Sequence, residues 1–151
     1  MFTVPYLYNY INRPELSVLH ARNIAKTYYN TGVTGLPGNS DAGAMQTWLL
    51  WNMIGLYPIT GQTTFLIHSP WFEKLSIDLG GGKKLKVTAT GGDNNGDEDY
   101  FVQQVKVNGQ VWDKGWLAWG DVFAQGGTIE FKLGSDPVQW ARGNVPPSPA
   151  S

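Results

Sequence analysis

The stretch GLPGNSDAGAMQTWLLWNMIGLYP, residues 35–58, joins a glycine-punctuated loop to a very apolar helix and sets one carboxylate, Asp41, at the junction. Gly35, Pro37, Gly38 and Asn39 let the backbone turn sharply and come close to a ligand, and Ser40 or Asp41 is placed to cap the helix that follows. A helix over about residues 41–56 carries Met45, Trp48, Leu49, Leu50, Trp51, Met53 and Ile54 round most of its circumference. Such a helix has to be buried on nearly all sides. On the residues alone Asp41 has two readings, helix cap and catalytic carboxylate, and capping is the commoner use of Asp at such a place.

Outward from this stretch the chain divides into two halves of different period. Residues 1–58 read as helical. PYLYNYI, residues 5–11, suggests a short helix, and Asn12 to Pro14 supply a cap and an N1-type proline for a second that runs to about Tyr29, with Val18, Ala21, Ala25 and Tyr28 recurring at three- and four-residue steps. From residue 62 to about 134 the signals are those of strands: TTFLIHS (63–69), KLSIDL (74–79), KLKVTAT (84–90) and GGTIEFKLG (126–134). Glycines 80–82 make the second and third of these antiparallel neighbours. Asn108 and Gly109, inside YFVQQVKVNGQVWD, mark a hairpin, because a type I′ turn needs positive φ at both positions. These elements cannot surround the helix at 41–56, so a large apolar surface is expected to stay exposed and the chain reads as incomplete.

Composition narrows the function classes. The 151 residues suit one ordinary domain or two small parts of something larger. With 42% hydrophobic, 13% aromatic and 15% charged residues, the chain has to bury much of its surface. A net charge of −1 and scattered Lys and Arg give no footprint for nucleic acid, and the apolar run in WLLWNMIGLYP is too short and interrupted for a membrane span. There is no cysteine for a disulfide, thiolate chemistry or a Cys-based zinc site. His20 and His68 stand far apart without carboxylates at ligand spacing and read as structural or surface residues. The N-terminus has no secretory-signal pattern. GGDNNGDEDY (91–100) has Asp-x-Asn spacing but not the EF-hand order, and reads as a solvated loop. Trp112, Trp116 and Trp119 have a sugar-stacking reading and a packing reading, and packing is preferred.

The ordered series PYLYNY, GNSDAG, AGAMQTWLLWNMIGLYP, GQTTFLIHSPWFEKLSIDL and GGTIEFKLG resembles the C-terminal region of glycoside hydrolase family 92, calcium-dependent exo-acting α-mannosidases that trim mannose from glycoprotein glycans and mannans, and is most like the fungal branch. The resemblance implies an α+β fold. Residues 1–60 would be the last helices of a catalytic (α/α)6 barrel, residues 61–140 part of an antiparallel β-sandwich and residues 141–151, ending VPPSPAS, a disordered tail. It implies a fragment of a larger fold whose remaining parts lie upstream of Met1.

Inverting hydrolysis needs one carboxylic acid to protonate the leaving oxygen and one carboxylate to activate water, roughly 6.5–9.5 Å apart. The resemblance gives the base role to Asp41. Some relatives carry a second acidic residue where this chain has Asn39, which would orient water or sugar by hydrogen bonds instead. The family's general acid, a Glu in a tryptophan-rich motif, has no match here, so the chain alone is expected to be inactive. Calcium is implied for the parent enzyme, but no ligand is assignable in this chain. The implied partners are α-mannoside glycans and the upstream part of the same enzyme, with no nucleic acid and no membrane span. The alternative is a non-catalytic carbohydrate-binding or partner-docking module. Linkage preference and compartment stay open, since relatives are secreted or intracellular, in cytosol or nucleus.

Overall fold

The computed structural model describes residues 2–93 and 97–148. A 3-10 helix, Val4–Ile11, is followed by α1, Pro14–Tyr28, and α2, Ala44–Ile54. The strands are β1 (Leu56–Pro58), β2 (Thr64–Ile67), β3 (Lys74–Gly80), β4 (Lys83–Thr90), β5 (Phe101–Val107), β6 (Gln110–Trp112), β7 (Trp116–Ala118) and β8 (Gly127–Gly134), with a single-turn helix α3, Trp119–Val122, after β7. They form two sheets, one of three strands in the order β1-β2-β7 and one of five in the order β3-β4-β8-β5-β6.

The three-stranded sheet is a wall between two cores. Strand alternation sends Leu56, Phe65, Ile67 and Leu117 to one side, where they meet Leu85, Val87, Val105, Ile129 and Phe131 of the larger sheet. It sends Tyr57 and Leu66 to the other side, against Tyr6, Ala21, Ala25 and Trp48 of the helices. Every residue of β2 is buried because each of its faces has a core to fill. A fully buried side chain of this size stabilises the fold by about 1.5–3 kcal/mol relative to exposure.

Buried polar groups fix the helices to that wall. The Asn9 side-chain amide donates to the carbonyls of Ile67 (3.0 Å) and Gly115 (2.7 Å), while its oxygen accepts from the Ser17 hydroxyl (2.5 Å). Asn52 donates to the Tyr6 hydroxyl at 3.1 Å and accepts from the Trp71 indole at 3.0 Å. The Arg22 guanidinium lies 5.0 Å from the ring centres of both Trp71 and Tyr100 and donates to the Pro70 carbonyl at 2.8 Å. Leaving any of these groups without its partner in the interior would cost more than the bond itself contributes.

Several expectations are met and others corrected. The alternating runs form β3, β4 and β8, and β3 pairs antiparallel with β4. The hairpin turns at Asn108 (φ 49°) and Gly109 (φ 79°). The sheets are not wholly antiparallel, however: β4 and β8 run parallel, from Leu85 opposite Gly127 to Thr90 opposite Lys132, because the chain crosses through β5–β7 before β8 returns. The PYLYNYI helix is 3-10 in form. α2 starts three residues later than expected and ends before Leu56, since Gly55 (φ 90°) stops it and Leu56–Pro58 extends into β1. An alanine at Gly55 would put its Cβ 2.7 Å from the Pro70 backbone nitrogen, so the helix end also needs glycine for close approach.

The start of the expected free tail is anchored. Ala141 is fully buried, the Arg142 and Gly143 amides both donate to the Asp113 carbonyl at 2.8 Å, and the Asn12 side chain donates to Gly143 at 2.9 Å. Residues 149–151 of that tail lie outside the described residues, as do residues 94–96 of the acidic loop.

Candidate functional site

Asp41 is exposed and does not cap α2. The residue that begins the helix is Gly43, and Ser40 supplies the cap-like bond instead, its hydroxyl accepting from the Gly43 amide at 3.1 Å. Between them the backbone is left-handed at three successive residues: Asp41 (φ 50°), Ala42 (φ 56°) and Gly43 (φ 90°). Glycine takes this conformation freely, whereas each L-residue in it costs about 1–2 kcal/mol. The turn is closed by the Ala44 amide donating to the Asp41 carbonyl at 3.1 Å and the Met45 amide to the Ser40 carbonyl at 3.3 Å. The consequence is a carboxylate thrown outward at the rim of a helix start. Strain of this kind, held by surrounding structure, recurs at functional positions.

The carboxylate borders a cleft of about 320 Å³ whose walls come from four segments: Phe2 and Pro5, Ile24 and Tyr29, Pro37, and Met45 with Trp48. Tyr29 and Trp48 stack with centroids 5.6 Å apart and planes at 16°, and both are pinned by their polar ends. The Tyr29 hydroxyl donates to the Met45 carbonyl at 3.2 Å and the Trp48 indole to the Phe2 carbonyl at 3.0 Å. A second cleft of about 300 Å³ shares Phe2 and Trp48 and adds Thr47, Trp51, Tyr57 and Thr60. Aromatic rings beside hydroxyls and a carboxylate suit a ligand with apolar faces and many hydroxyl groups.

Asn39 is exposed, two residues before Asp41, and is not among the residues that line the Asp41 cleft. The other tryptophans are used in packing. The Lys114 ammonium sits 4.0 Å from the Trp112 ring centre and 4.8 Å from that of Trp116, and both indole N–H groups donate to backbone carbonyls, of Trp116 and Asn144. Trp119 stacks on Phe123 at 5.1 Å. His68 is wholly buried with its Nδ1 3.1 Å from the Ser69 carbonyl; burial, and then the charge of Arg22, push its pKa down to about 3, so it is neutral. His20 is at the surface, stacked on Tyr8 at 5.1 Å.

Among the described residues, the groups of this chain do not by themselves fit calcium. Asp41 is the one carboxylate among the residues lining the cleft, and among the described residues no three His, Cys, Asp or Glu side chains gather closely enough to hold a metal ion. A hard cation that takes six or more oxygen ligands would need donors from elsewhere.

The sequence marked Asp41 but not the walls of its cleft. Phe2, Tyr29 and Pro37 carry no local pattern, and Met45 and Trp48 read as core residues of the helix. An excess of aromatic side chains on the same segments as the carboxylate was the available signal.

A cleft with aromatic walls and a single carboxylate among its lining residues, on helices backed by β-sheets, is the kind of site that carbohydrate-active proteins carry. The family model described as the glycosyl hydrolase family 92 catalytic domain matches residues 1–135, and the chain belongs to that family. It is 36% identical, over 97% of its length, to an uncharacterized secreted glycosidase of Arthroderma benhamiae, of which it covers 19%. Its structure is similar to that of a family GH92 α-mannosidase of Bacteroides thetaiotaomicron, with a TM-score of 0.88, 30% identity and 98% of this chain covered against 20% of that one. That α-mannosidase is also solved in complex with mannoimidazole. An inverting family GH92 mannosidase of the same organism gives a TM-score of 0.80 at 30% identity, covering 90% of this chain and 18% of that one. The chain thus spans about a fifth of the length of these relatives. Among the described residues no helix is long and apolar enough to cross a membrane.

Proposed function

We propose that this chain is part of an inverting α-mannosidase and supplies its general base, Asp41. The observation that carries the proposal is the exposed Asp41 carboxylate, held out by a left-handed turn at the mouth of an aromatic cleft, in a chain of family 92. Asp41 would take a proton from the water that attacks the anomeric carbon, while Tyr29, Trp48 and Phe2 seat the apolar faces of the terminal mannose. Asn39, next to the same turn, would orient the water or a sugar hydroxyl through its amide. The general acid, set on the opposite side of the sugar, and the calcium ion would depend on polypeptide beyond these residues, with the helices here closing an (α/α)6 barrel. The substrates are α-mannosides of glycoprotein glycans or mannans. Mannose caught by the cleft without turnover is the second reading, favoured by the absence of a second carboxylate among its lining residues.

The test is mannose release from α-1,2-mannobiose. The purified chain should release none. When the chain replaces the matching segment of the Arthroderma benhamiae glycosidase, release should appear, and Asp41→Asn should lower kcat by about 10²–10⁴-fold, the usual worth of a positioned general base. Unchanged kcat in that variant would remove Asp41 from the mechanism.

A further inference from the structure

The lysines that look scattered along the sequence are gathered by the fold. In the five-stranded sheet Leu85, Val87, Val105, Ile129 and Phe131 point into the core, so the residues that alternate with them point to the opposite face. That outer face carries Lys74 on β3, Lys84 and Lys86 on β4, Lys106 on β5 and Lys132 on β8, five of the eight lysines of the chain. The acidic residues of these strands are Asp78 and Glu130, and the Asp78 carboxylate already accepts from the Gly80 amide at 2.8 Å. Positive charge is therefore in excess on this face of a chain whose net charge is −1, and the rest of the molecule is net negative. Among the described residues none of the five lysines belongs to an ion pair.

The strand register spreads these cations among neutral polar groups. Lys86 stands between Ser76 and Thr128, Lys132 between Thr90 and Gln104, and Glu130 between Thr88 and Lys106, with Lys74 opposite Thr88. Neighbouring strands lie about 4.8 Å apart and same-face residues along a strand about 6.8 Å, so ammonium groups alternate with hydroxyls and an amide over one polar surface. Thr88, Thr90, Gln104, Lys106, Glu130 and Lys132 line a shallow hollow of about 180 Å³ within it. No aromatic residue of these strands shares the outward register for a base to stack on. Val111, opposite Lys106 on the edge strand β6, is the apolar residue on this face, and one valine does not anchor a protein in a lipid surface.

We infer that the outer face of the five-stranded sheet binds an anionic polysaccharide. Its lysines pair with sulfate or carboxylate groups, and its threonines, Ser76 and Gln104 hydrogen-bond to the sugar hydroxyls between them. The charge excess calls for an anionic partner, and the alternation of cations with neutral donors and acceptors matches a chain in which acidic groups alternate with hydroxyls. This face shares no lining residue with the Asp41 cleft, so the inference stands apart from the catalytic reading.

The experiment titrates the chain with size-defined heparin by calorimetry between about 50 and 200 mM salt, a range over which release of counterions from a polyanion is measurable. Polygalacturonate is the carboxylate counterpart and neutral mannan the uncharged control. Binding to the polyanions is expected, falling steeply with salt, and should exceed binding to mannan. Lys86→Gln combined with Lys132→Gln should weaken it about tenfold and lower the slope of log affinity against log salt by about two, one for each cation removed. Glu130→Gln should tighten it, because a carboxylate leaves the middle of the patch. Arg142→Gln removes an exposed cation outside the sheet and should bind as the parent does. All four side chains are exposed, so the circular dichroism of each variant should match the parent. No polyanion binding, an unchanged affinity in the lysine pair, or an equal loss in Arg142→Gln overturns the inference. So does tighter binding to phosphatidylcholine–phosphatidylserine vesicles or to single-stranded DNA, which would make a lipid surface or a nucleic acid the partner. Binding to one polyanion alone, with the same pattern among the variants, keeps the surface and identifies its acidic group.

Discussion

The two faces of the three-stranded sheet have met different fates. On one face, Phe65, Ile67 and Leu117 are buried under the five-stranded sheet. On the other, Tyr57 and Leu66 are covered by helices whose own outer surface is left apolar and open, beside the single carboxylate of the cleft. The two faces of one thin sheet thus differ in what lies beyond them: the closed face is backed by the larger sheet, and the open face by helices that carry the Asp41 cleft and, between the 3-10 helix and α1, an exposed apolar groove.

The sharpest way to break this comparison is to cut the same side chain from both faces. Leu117 is fully buried in the closed core, and Leu117→Ala should lower the unfolding free energy by about 2–5 kcal/mol. Leu7 lies half exposed in the groove, and Leu7→Ala should change it by less than about 0.5 kcal/mol. Urea denaturation of the two variants measures both. Similar losses would mean that the groove side chains belong to the structural core of the folded chain.

Acid should then probe the seam between sheet and helices. His68 has its folded pKa depressed to about 3 from an ordinary 6.5, first by burial and then by the charge of Arg22. As pH falls below about 6.5 the unfolded chain binds a proton at this position and the folded chain does not, until about pH 3. Stability present at neutral pH is therefore lost over that window, by about 1.4 kcal/mol per pH unit from this group. Melting of His68→Gln and of the parent, compared between about pH 6.5 and pH 4, isolates the histidine: the variant should show the shallower slope. Parallel slopes would mean that the imidazole is hydrated in the folded chain.

How much of this was legible in the sequence follows from how local each signal is. Alternating runs such as KLKVTAT and the Asn108–Gly109 turn announce themselves, because strand period and positive φ are properties of adjacent residues. So does α1, through Pro14 and the spacing of Val18, Ala21 and Ala25. The three-residue strands Leu56–Pro58 and Trp116–Ala118 are too short to show a period, and the parallel pairing of β4 with β8 depends on partners some forty residues apart in the chain. The sharp turn at Asp41 was legible through the glycines around it. Its cleft was not, since Phe2, Tyr29 and Pro37 meet Trp48 only once the chain has folded.

The smallest expected effect tests whether the strain at the turn serves the open face. Ala42 adopts φ 56° with a side chain that disfavours it, so Ala42→Gly should relieve that cost, and the greater freedom of glycine in the unfolded chain offsets part of the gain. The net should be a stabilisation of about 0.5 kcal/mol. Gly43→Ala reverses the argument: its φ of 90° is strained for alanine while a Cβ there would meet nothing within 4 Å, so the expected loss of about 1–2 kcal/mol is purely conformational. Thermal melting gives both numbers, and mannose release in the completed enzyme gives their meaning. If Ala42→Gly stabilises the chain while lowering kcat, the alanine is retained because it stiffens the turn that aims Asp41. If stability and turnover both rise, the turn is merely tolerated, and the aim of the carboxylate must come from the aromatic walls of the cleft.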